Sequence, residues 1–181
     1  NRRIDVDTKL SIFSTYIVGL MKKKQELNRV DSLFAEMLEQ YPQEEPVHRL
    51  FGMYLSSRKD FSRAEEQYAI AADLAPTNPE NWLQLIGLYL YQEKYAEVIR
   101  VGKRAIQYVP DQKDIYMYVA VASAQTKSYD EALSMLETGL NYVEENDAGT
   151  KSFFYGQMGD VYHSAGDKEK SYEMYEKALS Y

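Results

Sequence analysis

The chain has 181 residues, 45 % of them apolar, and a formal charge of −7. That is enough for one folded domain, and the wrong sign for a general nucleic-acid or anionic-membrane binder, which needs clustered Lys and Arg. It contains no Cys, which excludes disulfides and thiolate chemistry, and its longest apolar run, Ile115 to Ala122, is far shorter than a membrane span. The charge is uneven. Residues 1–112 carry 15 Lys and Arg against 16 Asp and Glu, and residues 113–181 carry 6 against 12, so electrostatic steering at the C-terminal third favours a basic partner.

Three prolines, Pro42, Pro76 and Pro110, recur at intervals of 34 residues. A period of that length is the mark of stacked helical hairpins. Other positions keep the same beat: Ala64, Val98 and Ala132; Ala71, Ala105 and Gly139; Phe34, Tyr68, Gly102 and Leu136. Each set is small or apolar, as close helix–helix contact requires.

In chain order the register predicts helical hairpins over 11–44, 45–78, 79–112 and 113–146, and a last one over 152–181 after five inserted residues, Asp147 to Lys151. In the first, Val18, Val30 and Met37 stand where small residues are usual, which predicts wider helix spacing. Lys22-Lys23-Lys24 reads as the exposed, cation-favouring end of its first helix. Between the second and third, Asn78-Pro79-Glu80 reads as an N-cap, a first-turn proline and an acid at the positive helix end. In the fourth, Ile115 to Val121 is rich in strand-forming residues, yet the register makes it a helix. Glu144 replaces the closing proline there. The insertion is expected to lengthen the connection or to extend the next helix backward, with Asp147 or Thr150 as cap. Ala165-Gly166-Asp167 predicts a left-handed turn inside the last hairpin. The start at Asn1 and the end at Tyr181, two positions before the register's next proline, read as the ends of a piece of a longer protein.

Trp82, Leu85, Tyr89, Tyr95, Val98, Gly102, Ala105 and Pro110 in the third unit resemble the tetratricopeptide (TPR) pattern. The second supplies Gly52, Phe61, Ala64, Tyr68, Ala71 and Pro76, and the last Tyr155, Gly159, Tyr162, Tyr175 and Ala178. The resemblance spans about 170 residues on the repeat-period reading. It implies an all-α, right-handed α-solenoid of about five hairpins in which the first helix of each lines a concave groove.

Catalytic chemistry is absent from the pattern. His48 holds the large-aromatic position of its unit and is expected to pack between helices. His163 lies on a first helix, and neither has a second His or a Cys at metal-ligand spacing. No phosphate-cradling glycine loop occurs, and Glu65-Glu66 and Glu144-Glu145 read as solvated charge. The expectation is a non-enzymatic segment without cofactors. The alternative is an accessory segment of a larger enzyme or membrane-associated assembly whose activity lies elsewhere.

Inward positions recur at steps of three and four along each first helix. They are Thr15, Gly19 and Lys22; Arg49, Met53 and Ser56; Leu83, Gly87, Leu90 and Tyr91; Met117, Tyr118, Val121 and Gln125; Gly156, Asp160 and His163. Leu83, Leu90, Tyr91, Met117, Tyr118 and Val121 are read as an apolar floor, with Arg49 and Asp160 as polar ends. Gly19, Gly87 and Gly156 are read as sharing one repeat position, either clearing space for a ligand or admitting a close neighbouring helix. Some TPR modules grip a C-terminal carboxylate with Lys, Arg and Asn. The matching residues here are Arg49, Met53, Gln84, Asp114 and Tyr118, of which Arg49 alone fits, so that function is not implied. The expected partner is a protein or peptide held in the groove, with self-association through uncapped ends a further expectation.

Overall fold

The computed structural model describes residues 6–23 and 27–181, with side chains for 8–20 and from 29 onward. Lys22, Lys23 and Lys24 fall outside the described side chains. The described residues form ten helices and no strand. The chain divides between Pro76 and Thr77 into two compact units. The first holds α1 (Val6–Lys23), α2 (Leu27–Gln40), α3 (Glu45–Ser57) and α4 (Phe61–Leu74). The second holds α5 (Pro79–Tyr91), α6 (Tyr95–Ile106), α7 (Lys113–Gln125), α8 (Tyr129–Leu140), α9 (Ala148–Ala165) and α10 (Lys168–Leu179). The first helix starts at Val6, five residues ahead of the expected unit boundary at 11.

Packing follows the repeat. Ala64, Val98, Ala132, Ala71, Ala105, Phe34, Tyr68 and Leu136 are all buried, as the beat in the sequence requires. Glycines at helix crossings make room for large partners. A Cβ at Gly52 would stand 2.6 Å from the Tyr68 ring, one at Gly159 2.5 Å from Tyr175, and one at Gly139 2.8 Å from Tyr116. In the first hairpin Val18 holds the position of Gly52 and stays exposed, at 38 %, while Phe34 on α2 meets Phe13 edge-on at 5.3 Å. Phe34 also stacks on Phe51 at 4.5 Å and on Tyr54 at 5.5 Å. This aromatic cluster forms the core of the first unit. In the second, Met117, Ala120, Leu136, Val143, Phe154, Met158 and Val161 form one cluster joining α7, α8 and α9. Full burial of each such large side chain contributes about 1.5–3 kcal/mol.

Polar groups in the turns are satisfied repeatedly in one way. Inside the hairpins, Lys59, Glu93, Lys127 and Gly166 all adopt positive φ. Each N–H donates three residues back and the following N–H five back, as in Asp60 to Leu55 O at 3.0 Å and Asp167 to Tyr162 O at 2.9 Å. These are Schellman turns. Gly166 was legible as one, but the other three use residues that dislike this conformation. At the unit boundary, Asn78 accepts from the Glu80 N–H at 3.2 Å, confirming the cap. The large-aromatic position has a related task. His48 Nε2 lies 3.1 Å from Pro42 O, and the Tyr116 hydroxyl donates to Pro110 O at 2.9 Å, so each ties down the carbonyl of the proline six residues earlier. His48 Nδ1 lies 2.9 Å from the Gln67 side-chain amide, and the ring is a satisfied core group.

The tyrosine surplus has a structural use in the second unit. Trp82 stacks on Tyr108, Tyr116 on Tyr142 and Tyr155 on Tyr181, with centroids 5.9, 5.5 and 5.6 Å apart. Each pair joins a first helix to the chain leaving the second helix of the same hairpin. Burial, and secondly the Tyr142 hydroxyl, push the Tyr116 phenol up to about 12. The insertion extends α9 backward, making it 18 residues against 13 for α3, α5 and α7. Asp147 caps it by accepting from the Thr150 N–H at 3.0 Å, and hydrogen bonding to Thr150 holds this carboxyl below its ordinary range.

Candidate functional site

Of the expected groove residues, Arg49 and Met53 belong to the first unit. The other nine, Leu83, Gln84, Leu90, Tyr91, Met117, Tyr118, Val121, Asp160 and His163, belong to the second.

In the first unit, α1 packs beside α3. Between them lies a cleft of about 180 Å³, lined by Leu10, Phe13, Val18, Val47, Leu50, Arg49 and Met53 among others. Its cation is already engaged: Arg49 Nε donates to Glu45 Oε1 at 2.8 Å within α3. Both side chains are partly buried, and the pair orients the guanidinium along α3.

In the second unit, α7 packs beside both α5 and α9. Ile115, Tyr116, Met117, Val119, Ala120, Ala122 and Ser123 of α7 are buried, because α8 and α6 cover it as well. What remains open is a narrow stripe at steps of three and four. On α7 it is Tyr118, Val121 and Gln125, on α5 Gln84, Gly87 and Tyr91, and on α9 Gln157, Asp160 and Ser164. In the repeat register these nine residues fall into three matching rows. The first row is Gln84, Tyr118 and Gln157; the second, Gly87, Val121 and Asp160; the third, Tyr91, Gln125 and Ser164. Tyr91 is 69 % exposed.

Several expectations change. Met117 is only 6 % exposed and belongs to the core cluster; it stands one residue, about 100° of helix, before Tyr118 and turns between helices, so it is no part of an open floor. Leu83 shares its repeat position and is half-buried, as is Leu90. His163 lines a different hollow, with Lys168, Ser171, Tyr172 and Tyr175 of the last hairpin. Gly156 does not share the position of Gly19 and Gly87. The matched pairs Gly52–Tyr68 and Gly159–Tyr175 set the register, and they place Asp160 in that row and Gly156 one turn earlier. The close-helix explanation fails for all three glycines, since a Cβ on any of them would meet nothing within 4 Å. Gln157 and Ser164 were missed, although counting three and four from Asp160 along α9 reaches both.

Asp160 carries the charge of this face. Its Oδ1 accepts from the Tyr175 hydroxyl at 2.7 Å and its Oδ2 from Gln157 Nε2 at 3.3 Å. The bond to this carboxylate raises the Tyr175 phenol above its ordinary value. Among the described residues no group of three or more His, Asp or Glu could hold a metal ion, and no helix is long and apolar enough to cross a membrane.

No family model and no curated protein sequence matches the chain. Solved structures do. MamA superposes with a TM-score of 0.71 at 16 % identity, over 98 % of this chain and 95 % of that one. YrrB, described as a TPR protein with an unusual peptide-binding site, gives 0.70 at 18 % identity over 93 % and 84 %. A form of MamA from Desulfovibrio magneticus RS-1, running from residue 41 to its end, gives 0.72 at 11 % identity over 95 % and 94 %. The fold is the all-α tetratricopeptide fold.

Proposed function

We propose that the chain is a non-catalytic interaction scaffold whose second unit holds a peptide across α5, α7 and α9. Gly87 carries this reading. It lies inside α5, where a glycine costs about 1 kcal/mol relative to alanine, and no neighbour needs the space, since its Cβ would meet nothing within 4 Å. What the missing side chain does provide is access to the α5 backbone in the middle one of the three rows. Tyr91 and Tyr118 flank it, and aromatic residues of this kind dominate interface energetics. The likeness to YrrB, a TPR protein with a peptide-binding site, supports the same reading.

The test is selection of random displayed peptides on the wild-type chain, followed by affinity measurement on variants. Gly87→Ala should raise stability and weaken the selected peptides. Tyr91→Ala combined with Tyr118→Ala should keep its helicity and lose at least about 2 kcal/mol of binding. If no peptide is enriched, or if enriched peptides bind both variants like wild type, the proposal is wrong.

A further inference from the structure

A cleft of about 160 Å³ opens between α7 and α9, over α8. Engineered apolar cavities of about 150 Å³ accept benzene, so this one has room for a single large side chain. Its floor is apolar: Ala120, Val121, Ala124, Leu136 and Val161. Its rim is Gln125, Gln157, Asp160 and Ser164, a set rich in acceptors. Asp160 is the one charged residue lining it, and no ion pair to Asp160 forms among the described residues.

The carboxylate is held without being neutralised. Tyr175 and Gln157 each donate one hydrogen bond to it, which uses two of about four acceptor sites. Both partners are uncharged, so the negative charge stays at the mouth, already oriented. The surrounding unit reinforces it, since residues 77–181 carry 10 Lys and Arg against 16 Asp and Glu.

An apolar trough ending in an oriented carboxylate matches a side chain with a methylene stem and a cationic, many-donor head. Arginine has that form: its stem packs on apolar surface while its planar guanidinium pairs with a carboxylate through two N–H groups. Neutral aliphatic residues would fill the floor and leave Asp160 without a cation. An acidic residue would meet like charge.

Building on the scaffold reading, we propose that the α7–α9 cleft is the subsite for an arginine side chain of the bound peptide, with its stem over Val121, Ala124 and Leu136 and its guanidinium on Asp160.

The test uses a blocked tripeptide, acetyl-Ala-Arg-Ala-amide, with its citrulline and norleucine counterparts. Each is titrated to about 10 mM, a range that detects millimolar affinities, against the isotope-labelled full chain while amide resonances are followed. The arginine tripeptide should shift resonances around Val121, Gln125, Gln157 and Asp160 and bind about tenfold tighter than the citrulline one, as expected for a charge-assisted contact. Asp160→Asn, which keeps the shape of the residue, should abolish that preference. Equal binding of the neutral tripeptides, shifts confined to another face, or no shifts at all would overturn the assignment. If library-selected peptides still depended on Tyr91 and Tyr118, the scaffold reading would survive that result; if they did not, both would fall.

Discussion

Two glycines one turn apart on α9 offer a sharp test of the packing argument. Gly156 is inside the helix and a Cβ there would meet nothing within 4 Å, so Gly156→Ala should gain the helix-propensity difference, about 1 kcal/mol. Gly159 receives the Tyr175 ring, and a Cβ there would lie 2.5 Å from Cε1 and 2.6 Å from Cδ1. Overpacking of this kind costs about 1–3 kcal/mol. Moving the ring also breaks the 2.7 Å bond from Tyr175 to Asp160, worth about 1 kcal/mol or more to a charged acceptor. After the same propensity gain, Gly159→Ala should destabilise by about 1–3 kcal/mol, leaving the two variants about 2–4 kcal/mol apart. Urea unfolding followed by far-ultraviolet circular dichroism reads this directly, provided the slope stays unchanged. Tyr175→Leu in the Gly159→Ala background should recover part of the loss. Two variants that shift together, in either direction, would refute the assignment of open and packed glycines.

Replacing Lys127, at φ 63, by glycine should stabilise the α7–α8 turn by about 1 kcal/mol, because the left-handed conformation no longer strains a Cβ; an unchanged or lower urea midpoint would count against the turn geometry. Tyr116 supplies a pH dependence. Its phenol is raised from 10.0 to about 12, so the folded state favours the neutral form. That contribution is complete below pH 10 and is lost as pH rises through about 12. Wild type should therefore lose stability over this window more steeply than Tyr116→Phe, in urea titrations at stepped pH; identical slopes would disprove it.

How much of this was readable in advance depended on distance along the chain. The cap at Asn78 and the turn at Gly166 involve neighbours a few residues apart, and backbone chemistry decides them locally. The 34-residue period was equally visible, because every set of small or apolar residues on that beat must meet an adjacent helix. The turns at Lys59, Glu93 and Lys127 lie on the same period, but their side chains give no sign of a left-handed backbone; there the Schellman hydrogen bonds override local preference.

The open face was legible only to within one residue. Met117 and Tyr118 are adjacent and both apolar enough for either role. Which one is buried depends on the rotation of α7, and that is set by α6, α8, α5 and α9 packing around it. The same holds for Gly156 and Gly159. By itself the sequence determined that these are stacked helical hairpins, since local caps and one sustained period suffice for that. Only the tertiary structure decided which glycines are filled by a neighbouring ring and which residues face outward, because a turn of 100° per residue makes facing a property of the packed helices and not of the order of residues.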